Sequence, residues 1–438
     1  MLSLLFVPPA KGGGVEIMMK ERRVVITGLG VTCAAGNSPR EVWESVEQTR
    51  CGIAPITRYD TSAQKVKLAG EVKNLDMERW IDRREIRKMD LFSQYAMVAA
   101  CQAMEDSGLE ALEESRERWG VCMASGIGGI STIEEEKIRG LEKGYDRVSP
   151  FFIPRSISNM AAGSIAIRFG LHGMCTCVVT ACASAANAIG DAFRHIRDGY
   201  GDIMVAGGAE AAITPLCIGG FTSLKALTTE ACPERASIPF DAERSGFVMG
   251  EGAGALILEE YQHAVRRGAH IYAELAGYGT NCDAWHMTAP APDGTGAEAC
   301  MRLAMEDAGI TPEQVDYINA HGTSTKLNDA CETAAIRRIF SGDPLRVRVS
   351  STKSMTGHLL GASAAVEAVI TALAVEKKFV PPTLNYQVRD PECELNVVPN
   401  RGYSMKIRNA LSNSFGFGGH NATLVFRPAD REEAPIQG

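Results

Sequence analysis

One seven-residue phrase occurs twice in this chain: "AMEDSGL" at 103–109 returns as "AMEDAGI" at 304–310. Each copy closes an Ala-rich segment and is followed by a β-rich run that ends in small residues. A repeat in the same local context constrains the architecture strongly, because two related halves must each build the same kind of layer. The β-branched runs give the layer type: "RRVVITGLG", "WGVCMASGIGG", "CTCVVTACASA" and "DIMVAGGAEA" come first, then "GALILEE", "HIYAELAGYG", "VDYINAHGTST", "RVRVSSTKS" and "NATLVFR". Strands alternate with helical segments, which implies α/β layers with buried sheets. A second echo, "ASAANAI" after Cys182 against "ASAAVEA" at 362–368, is also open to chance likeness between Ala-rich helices. The halves meet near residues 260–270, and the interface between two such halves is a natural place for a ligand pocket.

Charge and cysteine usage exclude several classes of function. The 438 residues carry 45 Lys plus Arg against 53 Asp plus Glu, a formal net charge of −8. Long-range attraction to nucleic acid is therefore not expected, and an acidic partner must dock on a local basic patch. The 13 cysteines are scattered without C-x-x-C or zinc-type spacing, so no metal site is expected and reduced thiols in the cytoplasm fit best. No apolar run approaches the roughly 20 residues of a membrane helix, so membrane insertion is not expected. Residues 1–20, "MLSLLFVPPAKGGGVEIMMK", stand apart as an N-terminal extension. They suit neither a signal nor a transit peptide. Translation is expected to start at Met18 or Met19, after purine-rich codons for Lys11 to Gly14 that resemble a ribosome-binding site.

"VVTACASAANAIG", residues 178–190, places Cys182 between a strand-like run and a helix-like one in which Ile189, Phe193 and Ile196 recur at helical spacing. That position predicts a sulfur at the positive end of a helix, where free N–H groups favour thiolate, and small neighbours that let an acyl group approach. A buried packing cysteine is the competing reading. "NAHGTST" sets His321 after a strand, and "SSTKSMTGHLLG" sets Lys353 and His358 after another. Each histidine alone suits a structural role, but the group together describes a polar site at strand ends. "SNSFGFGGHN" at 412–421 is a glycine-rich turn whose backbone N–H could serve as an oxyanion donor, or simply a hairpin turn. "GLG" at 28–30 and "GIGG" at 126–129 lack the third glycine of a dinucleotide fingerprint, so nothing argues for NAD.

Taken in order, "TACASA", "PFDAERSGFVMGEGAG", "NAHGTST", "SSTKSMTGH" and "SNSFGFGGHN" resemble the β-ketoacyl-[acyl-carrier-protein] synthases of the elongating type, closest to synthase II. The likeness spans about residues 21–428. It implies the thiolase fold, a five-layered αβαβα arrangement of two pseudo-symmetric halves, at 21–265 and 266–428, with a flexible tail at 429–438. It also implies a homodimer that works with acyl carrier protein. The activity implied is decarboxylative condensation of acyl and malonyl carriers to a 3-oxoacyl carrier in fatty acid elongation. The resemblance makes Cys182 the acyl-accepting nucleophile, His321 and His358 the pair that decarboxylates malonyl thioester, and Lys353 the site lysine. Phe417 matches the gate, with its N–H completing an oxyanion hole beside that of Cys182. Thr323 and Thr325 match the hydroxyls that hold the pantetheine arm. Asp329 and Glu332 match acidic residues beside the site, and Glu367 a buried carboxylate near the lysine. Ile127 matches the isoleucine lying across the acyl pocket, and Arg84, Arg87, Lys88, Arg147 and Lys225 match the positions facing the carrier. No cofactor is implied beyond the phosphopantetheine that the carrier brings.

Three positions depart from the commonest pattern: Ala183 for threonine, Lys326 for proline and His420 for threonine. Lys326 and His420 lie beside the presumed site and bear on its specificity. A thiolase would want a second cysteine in "GFGGHN", and an initiating synthase an asparagine for the second histidine. A non-catalytic chain-length partner would have lost Cys182. An aldehyde dehydrogenase would need the missing nucleotide fingerprint. A type II polyketide synthase subunit shares all these motifs and stays open.

Overall fold

The computed structural model describes residues 22–430. The expectations for residues 1–20 and for the tail from 431 onward lie outside the described residues. Ten strands form the main sheet: β1 (Val24–Cys33), β2 (Trp119–Ala124), β3 (Cys175–Val178), β4 (Ile203–Glu210), β5 (Gly252–Glu260), β6 (Ala273–Cys282), β7 (Tyr317–Asn319), β8 (Arg348–Ser350), β9 (Ala410–Gly416) and β10 (His420–Arg427). Their spatial order is β3-β2-β4-β5-β1-β6-β10-β9-β7-β8. Read outward from the centre, each half repeats one path. The first strand lies inside, the fifth, fourth and second follow, and the third is at the edge. Pairing repeats too, with β3, β2 and β4 parallel, as are β8, β7 and β9, and antiparallel contacts inward of them. The halves join where β1 meets β6 over three pairs, from Val24↔Leu275 to Ile26↔Ala273.

The longer helices are α1 (Leu91–Ser107), α2 (Ile130–Lys143), α3 (Met160–Phe169), α4 (Ser184–Arg197), α5 (Thr295–Asp307), α6 (Lys326–Ile339) and α7 (Ser363–Lys377); α2 packs on the short helix Phe152–Ser156 rather than on the sheet. α1 and α3 pack on the outer face of the first half, α5 and α6 on that of the second, and α4 and α7 lie between the two. The result is the expected αβαβα layering. Position explains composition: α7 is buried on every side from Ser363 to Val375, so its sequence is apolar all round rather than striped. Among the described residues, no helix is long and apolar enough to cross a membrane.

Both sequence echoes mark equivalent places. "AMEDSGL" ends α1 at Gly108, and "AMEDAGI" follows α5 into Gly309, with φ of 69° and 64° respectively. The left-handed conformation that stops each helix favours glycine. "ASAANAI" and "ASAAVEA" open α4 and α7, each after a 3-10 turn, Ala181–Ala183 and Leu360–Ala362. Ala181 and Leu360 share a positive φ, 49° and 48°. The second echo thus has a structural cause, since two strands of equal rank turn into two central helices in the same way.

The central layer is dense enough to be probed by one methyl group. A Cβ built at Gly190 of α4 would lie 2.4 Å from ring carbons of Tyr278 on β6. The Tyr278 hydroxyl also donates to Asn187 Oδ1 at 2.9 Å. Gly190→Ala is expected to cost about 1–3 kcal/mol, the usual range for overpacking. A lowered urea midpoint with an unchanged slope would report it, and an unchanged midpoint would contradict this packing.

Candidate active site

Four strand ends deliver the motif residues to one cavity of about 340 Å³. Cys182 follows β3, His321 follows β7, His358 follows β8, and Phe417 lies in the turn between β9 and β10. All four line the cavity, together with Thr323, Thr325, Phe221 and Leu360. The turn before α4 holds Cys182 behind Ala181, whose positive φ is costly for a residue with a Cβ. Gly416 lets the β9–β10 turn lie against that backbone: a Cβ there would stand 2.8 Å from Thr180 O and 3.0 Å from Cys182 N. The Phe417 N–H consequently comes within hydrogen-bonding reach of the Cys182 sulfur.

The electrostatics correct the thiolate expectation. Cys182 does stand at the start of α4, but burial pushes its thiol up to about 12, and the Lys353 ammonium and the Phe417 N–H offset only part of this. Desolvation outweighs the Lys353 charge and the backbone N–H groups on the sulfur because the cavity wall is largely apolar.

The histidines are held neutral by the same physics. Burial and the Lys353 charge keep both well below the usual imidazole value, and His358 adds to the effect on His321. Their rings meet edge to face, with centroids 5.3 Å apart. His358 Nδ1 lies 2.8 Å from Ser363 Oγ. The backbone amides of His321 and Gly322 donate to the two oxygens of Glu332 at 2.9 and 2.8 Å, and Asn413 Nδ2 donates to the first at 3.0 Å. Lys353 is buried in an ion pair with Glu367.

Asp329, Glu332 and Glu367 are buried and none lines the cavity. Asp329 accepts the Phe240 N–H at 2.9 Å and faces Arg244 at 3.5 Å, so it ties the first turn of α6 to the Phe240–Arg244 segment. The Thr323 and Thr325 hydroxyls lie 2.8 Å apart. Ile127 stands behind the wall, in an apolar cluster with Cys182, Phe221 and Leu360. Lys225 is at the mouth, whereas Arg84, Arg87, Lys88 and Arg147 are exposed and do not line the cavity. Lys326 also lines it and donates to Ala242 O, while His420 does not line it.

Several neighbours were not singled out from the sequence. Phe221 lies 6.2 Å from Phe417 between ring centroids, and Phe247 lies 5.1 Å from His358. Asp283 and Met287 pin the glycine turn: Gly418 N–H donates to Met287 O and Asp283 N–H to Gly419 O, both at 2.8 Å, and Asn421 Nδ2 donates to Asp283 Oδ1 at 2.7 Å. "NCDAWHMTAP" carries no glycine pattern that would have marked it. Among the described residues, no group of three or more His, Cys, Asp and Glu side chains is placed to hold a metal ion.

Comparison with known proteins gives consistent matches. Residues 21–264 match the β-ketoacyl synthase N-terminal domain and residues 272–387 the C-terminal domain. The chain is 49% identical over 410 residues to 3-oxoacyl-[acyl-carrier-protein] synthase 2 of Synechocystis, covering 93% of this chain and 99% of that protein. It is 48% identical to the Staphylococcus aureus protein of the same name, covering 94% and 99%. Among solved structures, the ketosynthase of a type II PKS in complex with its acyl-carrier protein is 38% identical, with a TM-score of 0.87, over 94% of this chain and 100% of that one. A β-ketoacyl synthase from Burkholderia phymatum is 34% identical, with a TM-score of 0.86, over 93% and 100%. The layered architecture is the thiolase fold.

The protonation state of Cys182 can be read by alkylation. With the thiol pushed up to about 12, modification by iodoacetamide should quicken about tenfold per pH unit between roughly pH 7 and 9.5, tracking thiolate. Peptide mass analysis isolates Cys182 from the other cysteines. A plateau below about pH 8 would mean that the sulfur is already ionised.

Proposed function

The chain belongs to the β-ketoacyl synthase family, and on that premise we propose how its site performs the family's chemistry. It is an acyltransferase that condenses acyl-[acyl-carrier-protein] with malonyl-[acyl-carrier-protein], giving 3-oxoacyl-[acyl-carrier-protein] and CO2 in fatty acid elongation. The observation that carries our reading of the residues is the convergence of Cys182, His321 and His358 on one largely apolar cavity.

Cys182 attacks the acyl thioester; the C–S bond to the carrier breaks, and the thiol proton leaves with the carrier's sulfur. A neutral resting thiol suits this exchange, since its proton is needed on the leaving group. The backbone N–H groups of Cys182 and Phe417 stabilise the tetrahedral oxyanion. Malonyl carrier then enters, and the thioester carbonyl accepts hydrogen bonds from the two neutral imidazoles. The C–C bond to the carboxylate breaks, CO2 departs, and its electron pair forms the enolate. Losing one such donor costs about 10²–10³ in rate. The enolate carbon attacks the acyl-cysteine, expelling the Cys182 thiolate, which takes up a proton. Burial and the Lys353 charge keep the imidazoles neutral, and Thr323 and Thr325 hold the pantetheine arm. Ile127 gates the acyl chain. The enzyme needs no cofactor of its own.

The working unit is a homodimer joined through β3. Its outer edge has no partner strand among those described, and Ile167 and Val179 beside it are exposed. An unpaired strand edge next to bare apolar side chains is what a second copy covers. Thirteen free thiols support a reducing cytoplasm as the compartment.

Incubation with malonyl carrier and acyl carriers of graded length tests the reading. Mass analysis should find 3-oxoacyl carriers two carbons longer than the donor, and their absence from reactions of the folded protein would overturn it. Lys225 at the mouth and the exposed Arg84, Arg87, Lys88 and Arg147 receive the acidic carrier. Arg87→Glu with Lys88→Glu should raise the apparent KM for acyl carrier and weaken its salt dependence, with a far smaller effect on acyl-CoA donors. Equal losses with both donors would remove the docking assignment.

A further inference from the structure

Glu210 closes β4, is fully buried, and takes no part in either half-reaction. Its carboxyl accepts four hydrogen bonds: from Ser125 Oγ at 3.0 Å and from the backbone amides of Gly126, Ile127 and Gly361 at 2.8, 3.2 and 3.0 Å. None of these donors is a cation, so the group is not one half of an ion pair. The donors belong to two turns far apart in the chain. One follows β2 and carries Ile127; the other runs from His358 through Leu360 into α7. The turns touch across the carboxyl: a Cβ at Gly126 would lie 2.7 Å from Glu210 Oε2, and one at Gly361 would lie 2.2 Å from Gly126 N. Two glycines in contact, with one carboxyl spanning both, fix the spacing of the turns to tenths of an ångström.

We infer that Glu210 is a specificity-determining positioning residue: by holding the Ile127 turn against the Leu360 turn, it sets which acyl chain lengths Cys182 accepts. The inference rests on the reading of Ile127 as the acyl gate. Leu360 lines the cavity, and Ile127 packs in the same apolar cluster as Leu360 and Cys182. A shift of the Ile127 turn therefore changes the space beside the sulfur, and neither histidine lies on that turn. Only a carboxylate supplies two oxygens for four donors. A glutamine would turn its own N–H₂ either toward the amides of Gly126 and Gly361 or toward that of Ile127, opposing donor to donor in both cases.

The test is the ratio of kcat/KM for long against short acyl carriers, measured beside malonyl carrier decarboxylation without an acyl donor. Glu210→Gln should change the ratio about tenfold or more while decarboxylation stays within about threefold. Ser125→Ala, which removes one donor and leaves the carboxyl, should move the ratio in the same direction by less, and it serves if Glu210→Gln does not fold. Glu210→Asp should recover part of the wild-type ratio. Uniform loss across all chain lengths in Glu210→Gln, or an unaltered ratio in Ser125→Ala where Glu210→Gln does not fold, would overturn the inference. Ile127→Ala separates the two layers of the argument. If it leaves the chain-length profile unchanged, the gate reading fails and takes this inference with it; if it alters the profile and neither the Glu210 nor the Ser125 variant does, only the role of Glu210 fails.

Discussion

The Lys353 ammonium is felt by all three reacting side chains: it lowers His321 and His358 and draws the Cys182 thiol partway back from the rise imposed by burial. Bringing an ammonium into a dry interior costs several kcal/mol unless a partner compensates, and Glu367 is that partner. The pair sits where the turn after β8 meets α7, so its geometry depends on the central helical layer. The lowered imidazoles and the raised thiol share desolvation as their largest cause.

The duplicated topology explains how one cavity gathers groups so distant in sequence. Strands of equal rank, β3 and β8, turn into the central helices through the same strained 3-10 turn, placing Cys182 and Gly361 at matching positions. One half puts Cys182 there. The other leaves the position bare and sets His358 three residues earlier.

Much of this was legible in the sequence because strand-end motifs are short and local. The cysteine, histidine and lysine segments each follow a β-branched run and the glycine turn precedes one, and the structure gathers Cys182, His321, His358 and Phe417 around one space. The strand order and the central position of α4 and α7 were legible only through the echoes, whose glycine C-caps and positive-φ turns explain why those phrases recur. What escaped the sequence depends on burial and on long-range contact. The ionisation of Cys182 is decided by desolvation, which no spacing reports. Asp329, Glu332 and Glu367 hold backbone and lysine behind the cavity rather than facing it, a distinction invisible in "NDACET" and "ASAAVEA". Glu210 ends an ordinary strand, "IMVAGGAE", and its four donors come from segments about 85 and 151 residues away.

The central claim is that Cys182 transfers the acyl group and the two histidines drive decarboxylation, and its most direct test separates the half-reactions. In Cys182→Ala, condensation should vanish while malonyl carrier is still converted to acetyl carrier. In His321→Ala, intact mass should still record acylation of Cys182 while CO2 release falls by about two or more orders of magnitude, the scale of a lost oxyanion donor. Condensation surviving in Cys182→Ala, or undiminished CO2 release in folded His321→Ala and His358→Ala, would contradict the account.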